Sequence, residues 1–188
     1  MSRYASKSWR AFRPGAVGTI TRAALAGRVL GLDPGSRRTG YGVIDCLEGS
    51  EQHVASGCID VSGHDMVIRL QRIYAAVSEL VAEHRPDMVA IERVFMHRNP
   101  DSALKLGQAR GVALCAAATL GASVHEYAPR AIKLAVTGHG GAAKPQVEQM
   151  VRTLLKLPMV LRADAADALA AALCHAQTRR LGALGDAA

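Results

Sequence analysis

Four acidic residues, Asp33, Glu92, Asp164 and Asp167, are of a type and spacing that could share divalent cations. Asp33 closes the apolar run Val29-Leu30-Gly31-Leu32, and Glu92 closes a second, Met88-Val89-Ala90-Ile91. Asp164 and Asp167 open an alanine-rich stretch of helical character. Taken singly, each has an ordinary role. Asp33 precedes Pro-Gly and suits a turn. Glu92 sits beside Arg93 and suits a surface. Asp164 suits a helix N-cap, with Asp167 favouring the same helix start electrostatically. Taken together they mean more. Residues three apart share a helix face. Two strand-end acids set against such a pair make a cluster of like charges, costly unless a cation neutralises it. Oxygen-only ligands suit Mg²⁺ or Mn²⁺ rather than zinc. Two such ions, about 3.5–4 Å apart, can activate a water and stabilise the leaving oxygen in phosphodiester cleavage.

The elements that must position these acids read as an α/β fold. Residues 29–32 form a short buried strand, followed by the turn Asp33-Pro34-Gly35-Ser36. Strands at 41–45 and 53–61, with Gly49-Ser50 in the loop between them, predict an antiparallel meander. Leu70, Ile73, Tyr74, Val77, Leu80 and Val81 fall at helical spacing. Pro86 ends that helix and 88–91 is the next strand. A small-residue helix follows at 102–119, then a strand at 123–127 and a flexible loop, Thr137-Gly138-His139-Gly140-Gly141. Pro145 starts a helix with Val147, Met150, Val151, Leu154 and Leu155 on one face. The last helix runs from 164 to about 178. A meander followed by strand-helix alternation implies a mixed central sheet flanked by helices. Asp33 and Glu92 would then sit at carboxyl ends of strands, where open α/β sheets build their sites.

At 188 residues with 49% hydrophobic content, one domain with a real core is expected. No apolar run approaches the length of a membrane span. The four cysteines, Cys46, Cys58, Cys115 and Cys174, have no C-x-x-C spacing and read as small buried hydrophobes in a reducing compartment. The net charge of +7 is uneven. Residues 1–28 carry six bases and no acid, 40–92 carry nine acids and three bases, and 93–162 carry ten bases and three acids. A basic half points to a polyanionic partner such as nucleic acid. Residues 1–27 form a basic extension outside the fold, with the composition of a transit peptide, a mis-assigned start or a disordered tail. The body is placed at 28–180, with a flexible tail at 181–188.

Several long motifs resemble one family. Val29-Leu30-Gly31-Leu32-Asp33-Pro34-Gly35-Ser36 followed by Thr39-Gly40-Tyr41-Gly42-Val43-Ile44 is similar to the opening of RuvC, the bacterial Holliday-junction resolvase. So are Ala90-Ile91-Glu92-Arg93-Val94-Phe95-Met96, the stretch from Asp101 to Gly111, and Ala163-Asp164-Ala165-Ala166-Asp167-Ala168-Leu169-Ala170. The resemblance covers residues 29–178 in order. It implies a ribonuclease H-like fold and a cytoplasmic, Mg²⁺-dependent homodimer that nicks two opposed strands of a four-way junction. It also implies partnership with the RuvA–RuvB branch-migration machine. Asp33, Glu92, Asp164 and Asp167 align with the family's catalytic and metal-binding acids. Phe95 matches an aromatic that stacks on bases, a role with a sound physical basis, although from sequence alone it suits a core. Lys133 and Lys144 match lysines near the scissile phosphate. Arg110, Arg130 and Arg152 are further phosphate-contact candidates.

Other features carry less. His139 reads as a loop residue near DNA, and His125 and His175 as packed or surface histidines. Gly140 to Pro145 lacks the G-K-[ST] of a P-loop. Helix 102–119 suits either close packing on the sheet or contact with a second subunit. Actin-like kinases share a strand-Asp-x-Gly turn but have no place for the Asp164-x-x-Asp167 helix start. A silent junction binder, or a related pre-ribosomal RNA nuclease of the same fold, is the other rival.

Overall fold

The side-chain alternation of β1 (Gly27–Asp33) decides what each face of the sheet carries. Successive residues of a strand point to opposite faces. Leu30 and Leu32 therefore enter one core, while Val29, Gly31 and Asp33 share the other face. A computed structural model describes residues 25–93, 99–119, 121–158 and 160–185. In it β1 pairs antiparallel with β2 (Arg38–Leu47), which pairs antiparallel with β3 (Ser50–Asp60). On its other side β1 runs parallel to β4 (Met88–Glu92), and β4 to β5 (Ser123–Tyr127). The order across the five-stranded sheet is β3-β2-β1-β4-β5. The expected meander is there, as is the expected mixed sheet.

Helices α1 (Met66–His84) and α2 (Pro100–Thr119) cover one face. Ile73, Val77 and Val81 of α1 and Ala109, Ala113, Ala116 and Ala117 of α2 pack there on Leu30, Leu32, Val43, Val89 and Ile91. Asp65 caps α1 by accepting from the Ile68 N–H at 3.0 Å. The small residues of α2 thus do pack inward, but Gly107 and Gly111 face open space and Leu104 is 65% exposed.

The other face is covered by α3 (Pro129–Thr137), α4 (Lys144–Leu154) and above all α5 (Ala163–Gly185). Leu169, Leu173 and a series of alanines bury α5 along most of its length. Glycines let it lie directly on the strands. A Cβ at Gly31 would stand 1.9 Å from the Ala168 carbonyl oxygen, and one at Gly40 would stand 1.9 Å from that of Asp164. This contact sets the height of the α5 N-terminus over the ends of β1 and β2.

Four expectations change. Helix α3 lies in a stretch to which the sequence assigned no element. It is only nine residues long, with Ile132 and Val136 as its buried positions, too few turns for a periodicity to show. The segment after it is a hydrogen-bonded turn rather than a loose loop: the Thr137 hydroxyl donates to the Lys133 carbonyl at 2.8 Å and accepts from the His139 N–H at 3.2 Å, and Gly138 closes α3 at φ 75°. Helix α5 runs to Gly185, past the expected end near 178, so most of the stretch 181–188 continues a helix rather than forming a flexible tail. Arg180 pairs with Glu51 of β3, and Arg179 donates to the Leu25 carbonyl at 3.3 Å, which holds the extra turns. Of the cysteines, Cys46 and Cys174 are buried, but Cys58 is half-buried and Cys115 exposed; all four are free. No helix among the described residues is long and apolar enough to cross a membrane.

Candidate active site

The same alternation that sends Asp33 to the α5 face sends Glu92 there, since Met88 and Ala90 of β4 belong to the α5-side core. Leu32 pairs with Ile91, so Asp33 and Glu92 end neighbouring strands side by side. The first turns of α5 bring in Asp167 from above. Asp33, Glu92 and Asp167 line one cavity of about 300 Å³, together with Lys133, Lys144, Pro129, Ile132, Val147 and Ala170. The lysines arrive on α3 and at the start of α4. Lys144 donates to the Asp167 carboxylate at 2.8 Å. A larger concavity of about 760 Å³ lies at the opposite end of β1, where Arg28 and Asp45 neutralise each other at 2.7 Å. It holds nothing of this acidic set.

The electrostatics match an acidic cluster short of cations. Burial, then repulsion from Asp167 and Glu92, pushes the Asp33 carboxyl up to about 7; Lys144 pulls it back and Asp164 adds to the rise. Glu92 is also raised, first by burial and then by Asp167, against the pull of Lys144 and Lys133. Lys144 is held above its usual value by its hydrogen bond with Asp167. Carboxyls pushed up by burial and by one another mark a site that favours added positive charge.

Asp164 belongs to the cluster but not to the cavity lining. It faces the β2 side, where Arg38 Nε stands 3.4 Å from its Oδ2 and the Cys58 thiol donates to the same oxygen at 3.7 Å. Its charge still reaches Asp33. Among the described residues no three acidic, histidine or cysteine side chains close on one point tightly enough to hold an ion as they stand. The donor set nevertheless fits a hard divalent cation: carboxylate oxygens, two of them on raised carboxyls, with a lysine ammonium already drawn to Asp167.

The remaining candidates separate. Lys133 and Lys144 join the acids. Arg110 does not: it is largely buried, with Nη2 3.2 Å from Glu126 and Nε 3.5 Å from the Glu92 carbonyl, so it braces β4 and β5. Arg130 is exposed at the start of α3, its stem packed against Gly140. Arg152 is half-buried in the last turn of α4, outside the cavity lining. Phe95 lies outside the described residues. His139 lines a groove beside α4 with Pro145 and Gln146. His175 is buried, bonded to the Tyr127 hydroxyl at 2.6 Å, and His125 packs on its ring, as a packed reading requires. Arg38 and Cys58 were not legible as site residues. Their closeness to Asp164 depends on α5 docking at Gly40, and no local pattern announces that.

Strand-end acids under an acidic helix start, on a sheet ordered β3-β2-β1-β4-β5, define a metal-dependent nuclease of the ribonuclease H-like class. The family described as Crossover junction endodeoxyribonuclease RuvC matches residues 29–175. A relative of that name from Pseudoalteromonas atlantica is 56% identical over 150 residues, 80% of this chain and 87% of the relative. Another from Aliivibrio fischeri is 57% identical over 152 residues, 81% and 88% of the two chains. The solved structure of Thermus thermophilus RuvC in complex with a Holliday junction substrate superposes with a TM-score of 0.79 at 38% identity, covering 84% of this chain and 97% of that one. This chain belongs to the RuvC family of crossover junction endodeoxyribonucleases.

Proposed function

We propose that this chain resolves four-way DNA junctions in recombination and repair, by hydrolysing phosphodiesters of two opposed strands. The observation that carries the reading is the meeting of Asp33, Glu92 and Asp167 in one cavity with Lys133 and Lys144, inside the span that matches the family. Asp33, Glu92, Asp164 and Asp167 would hold Mg²⁺, two ions per site, with Mn²⁺ able to substitute. A divalent ion held there would supply an activated water and positive charge to offset that on the reacting phosphate. Lys133 and Lys144 orient the phosphate from the α3–α4 side, and Lys144 is tethered by Asp167 until another cation takes that carboxylate. Phe95 is assigned to base stacking, and Arg130 to a backbone phosphate. Arg110 was also an expected DNA contact; its bond to Glu126 favours a bracing role instead.

Symmetric nicking needs two sites related by a two-fold axis, which a homodimer supplies. The open face of α2, with Leu104, Gly107, Gly111 and Cys115 at helical spacing, supports a second α2 packing there. Partnership with RuvA–RuvB and a cytoplasmic location follow from the family reading. Residues 1–27 were expected to lie outside the fold, but Gly27 opens β1 and the Leu25 carbonyl meets Arg179, so only residues 1–24 are proposed to be dispensable for chemistry.

The test uses a synthetic four-way junction and a matched linear duplex with Mg²⁺. Paired nicks in the junction alone are expected, and none from Asp33→Asn. Equal cutting of both substrates would overturn the proposal.

A further inference from the structure

The two carboxylates that open α5 are each paired with a cation from a different element. Asp167 takes Lys144 of α4, at 2.8 Å; Asp164 takes Arg38 of β2, at 3.4 Å. The two pairs lie on opposite sides of Asp33. Lys144 and Lys133 line the cavity toward α3 and α4. Arg38 stands at the edge toward β3, where the sheet register sets it across from Asp60, two residues along from the Gly40–Cys58 pair. It does not stand alone. Arg162, just before α5, is close enough that its charge and that of Arg38 both act on Asp60 and on Cys58. Arg162 is exposed, and the Arg38 side chain is 50% exposed despite its ion pair. Two bases therefore flank the acidic cluster on the side away from the lysines.

A reacting phosphate over Asp33 would have Lys133 and Lys144 on its α3–α4 side, and the strand carrying it would have a further phosphate on the opposite side, toward β2 and β3. We infer that Arg38 and Arg162 form a second phosphate-binding flank of the active site, gripping the backbone of the cleaved strand on the side opposite Lys133 and Lys144. Arg38 relates to Asp164 as Lys144 does to Asp167. Both sit on a carboxylate that a divalent cation would claim, and both are exposed enough to turn to a phosphate. An exposed guanidinium suits this role, with donors in a fixed fork that matches phosphate oxygens. The contact positions the strand without reading its sequence.

The inference rests on the junction-cleaving reading, and salt dependence separates the two. In an Asp33→Asn background, so that the junction survives, binding of a synthetic four-way junction is followed by fluorescence anisotropy over a KCl series with Mg²⁺ present. Each phosphate contact contributes about 0.9 to the slope of log affinity against log salt. Arg38→Ala and Arg162→Ala should each lower that slope by about 0.9, and the double variant by about twice that. Arg38→Lys should restore most of it, because lysine keeps the charge. Unchanged slopes in both alanine variants, with unaltered unfolding midpoints, would show that the arginines serve only Asp164 and Asp60, and would overturn the inference. Failure of the Asp33→Asn parent itself to prefer the junction over a linear duplex would overturn the functional reading, and this inference with it.

Discussion

Asp33→Asn should stabilise the metal-free protein while abolishing cleavage, because the charge that serves the chemistry is a cost to the fold. Burial and the carboxylates of Asp167 and Glu92 lift Asp33 from 3.8 to about 7. The folded chain therefore keeps a proton that the unfolded chain releases. Stability from this group is fully present below pH 3.8 and is lost as pH rises through about 7. A rise of roughly three pH units corresponds to about 4 kcal/mol at pH 8. A buried amide recovers only part of that, so the gain for Asn is set at about 2–4 kcal/mol. In a chain of this size each kcal/mol moves the midpoint by about 2–4 °C, giving a rise on the order of 5–10 °C. The assay is thermal and urea unfolding of both proteins in EDTA at pH 5 and pH 8. The gap should be wide at pH 8, less than half as wide at pH 5, and narrow at pH 8 with Mg²⁺, which stabilises only the form that binds it. A variant no more stable than the parent at pH 8, or a gap independent of pH, would refute the electrostatic account of the cluster.

Lys144→Ala removes both the Asp167 pair and the charge that restrains Asp33 and Glu92; cleavage of a synthetic junction should fall by about two orders of magnitude, with Lys144→Arg retaining more. Gly31→Ala drives a Cβ to 1.9 Å from the Ala168 carbonyl, so α5 must lift off the sheet; urea unfolding should show a loss of about 3 kcal/mol or more, and a near-neutral result would contradict the close packing of α5. Leu104→Asp puts a charge on the open face of α2; sedimentation should report a dimer for the parent and a monomer for the variant, with paired nicking lost. Removal of residues 1–24, which stops short of β1, should leave junction cleavage within about twofold of the full chain, since the family match begins at residue 29.

Much of the fold was legible because its signals are local. Val29 to Asp33 and Met88 to Glu92 announce buried strands that end in an acid, and period-two alternation sends both acids to one face. The alanines after Asp164 announce a helix that must pack closely. The nine-residue α3 was not legible, because two buried positions cannot establish a period. The role expected for Arg110 gave way for a different reason. Nothing adjacent in the chain shows that Glu126, sixteen residues on and at the end of a parallel crossover, would meet its guanidinium.

By itself the sequence determined which residues could do the chemistry: four acids at element ends, two lysines in a basic stretch, and motifs specific enough to name a family. It also determined that Asp164 and Asp167 lie on one helix face, since 3.6 residues per turn leaves no other arrangement. Only the tertiary structure decided which neighbour each meets. Glycines at 31 and 40 let α5 settle onto the strands, and that contact turns Asp167 toward Lys144 and Asp164 toward Arg38 and Cys58. Helical spacing sets the distance between two carboxylates. The row of the sheet beneath them is set by close packing between segments more than a hundred residues apart in the chain, and no local pattern encodes that.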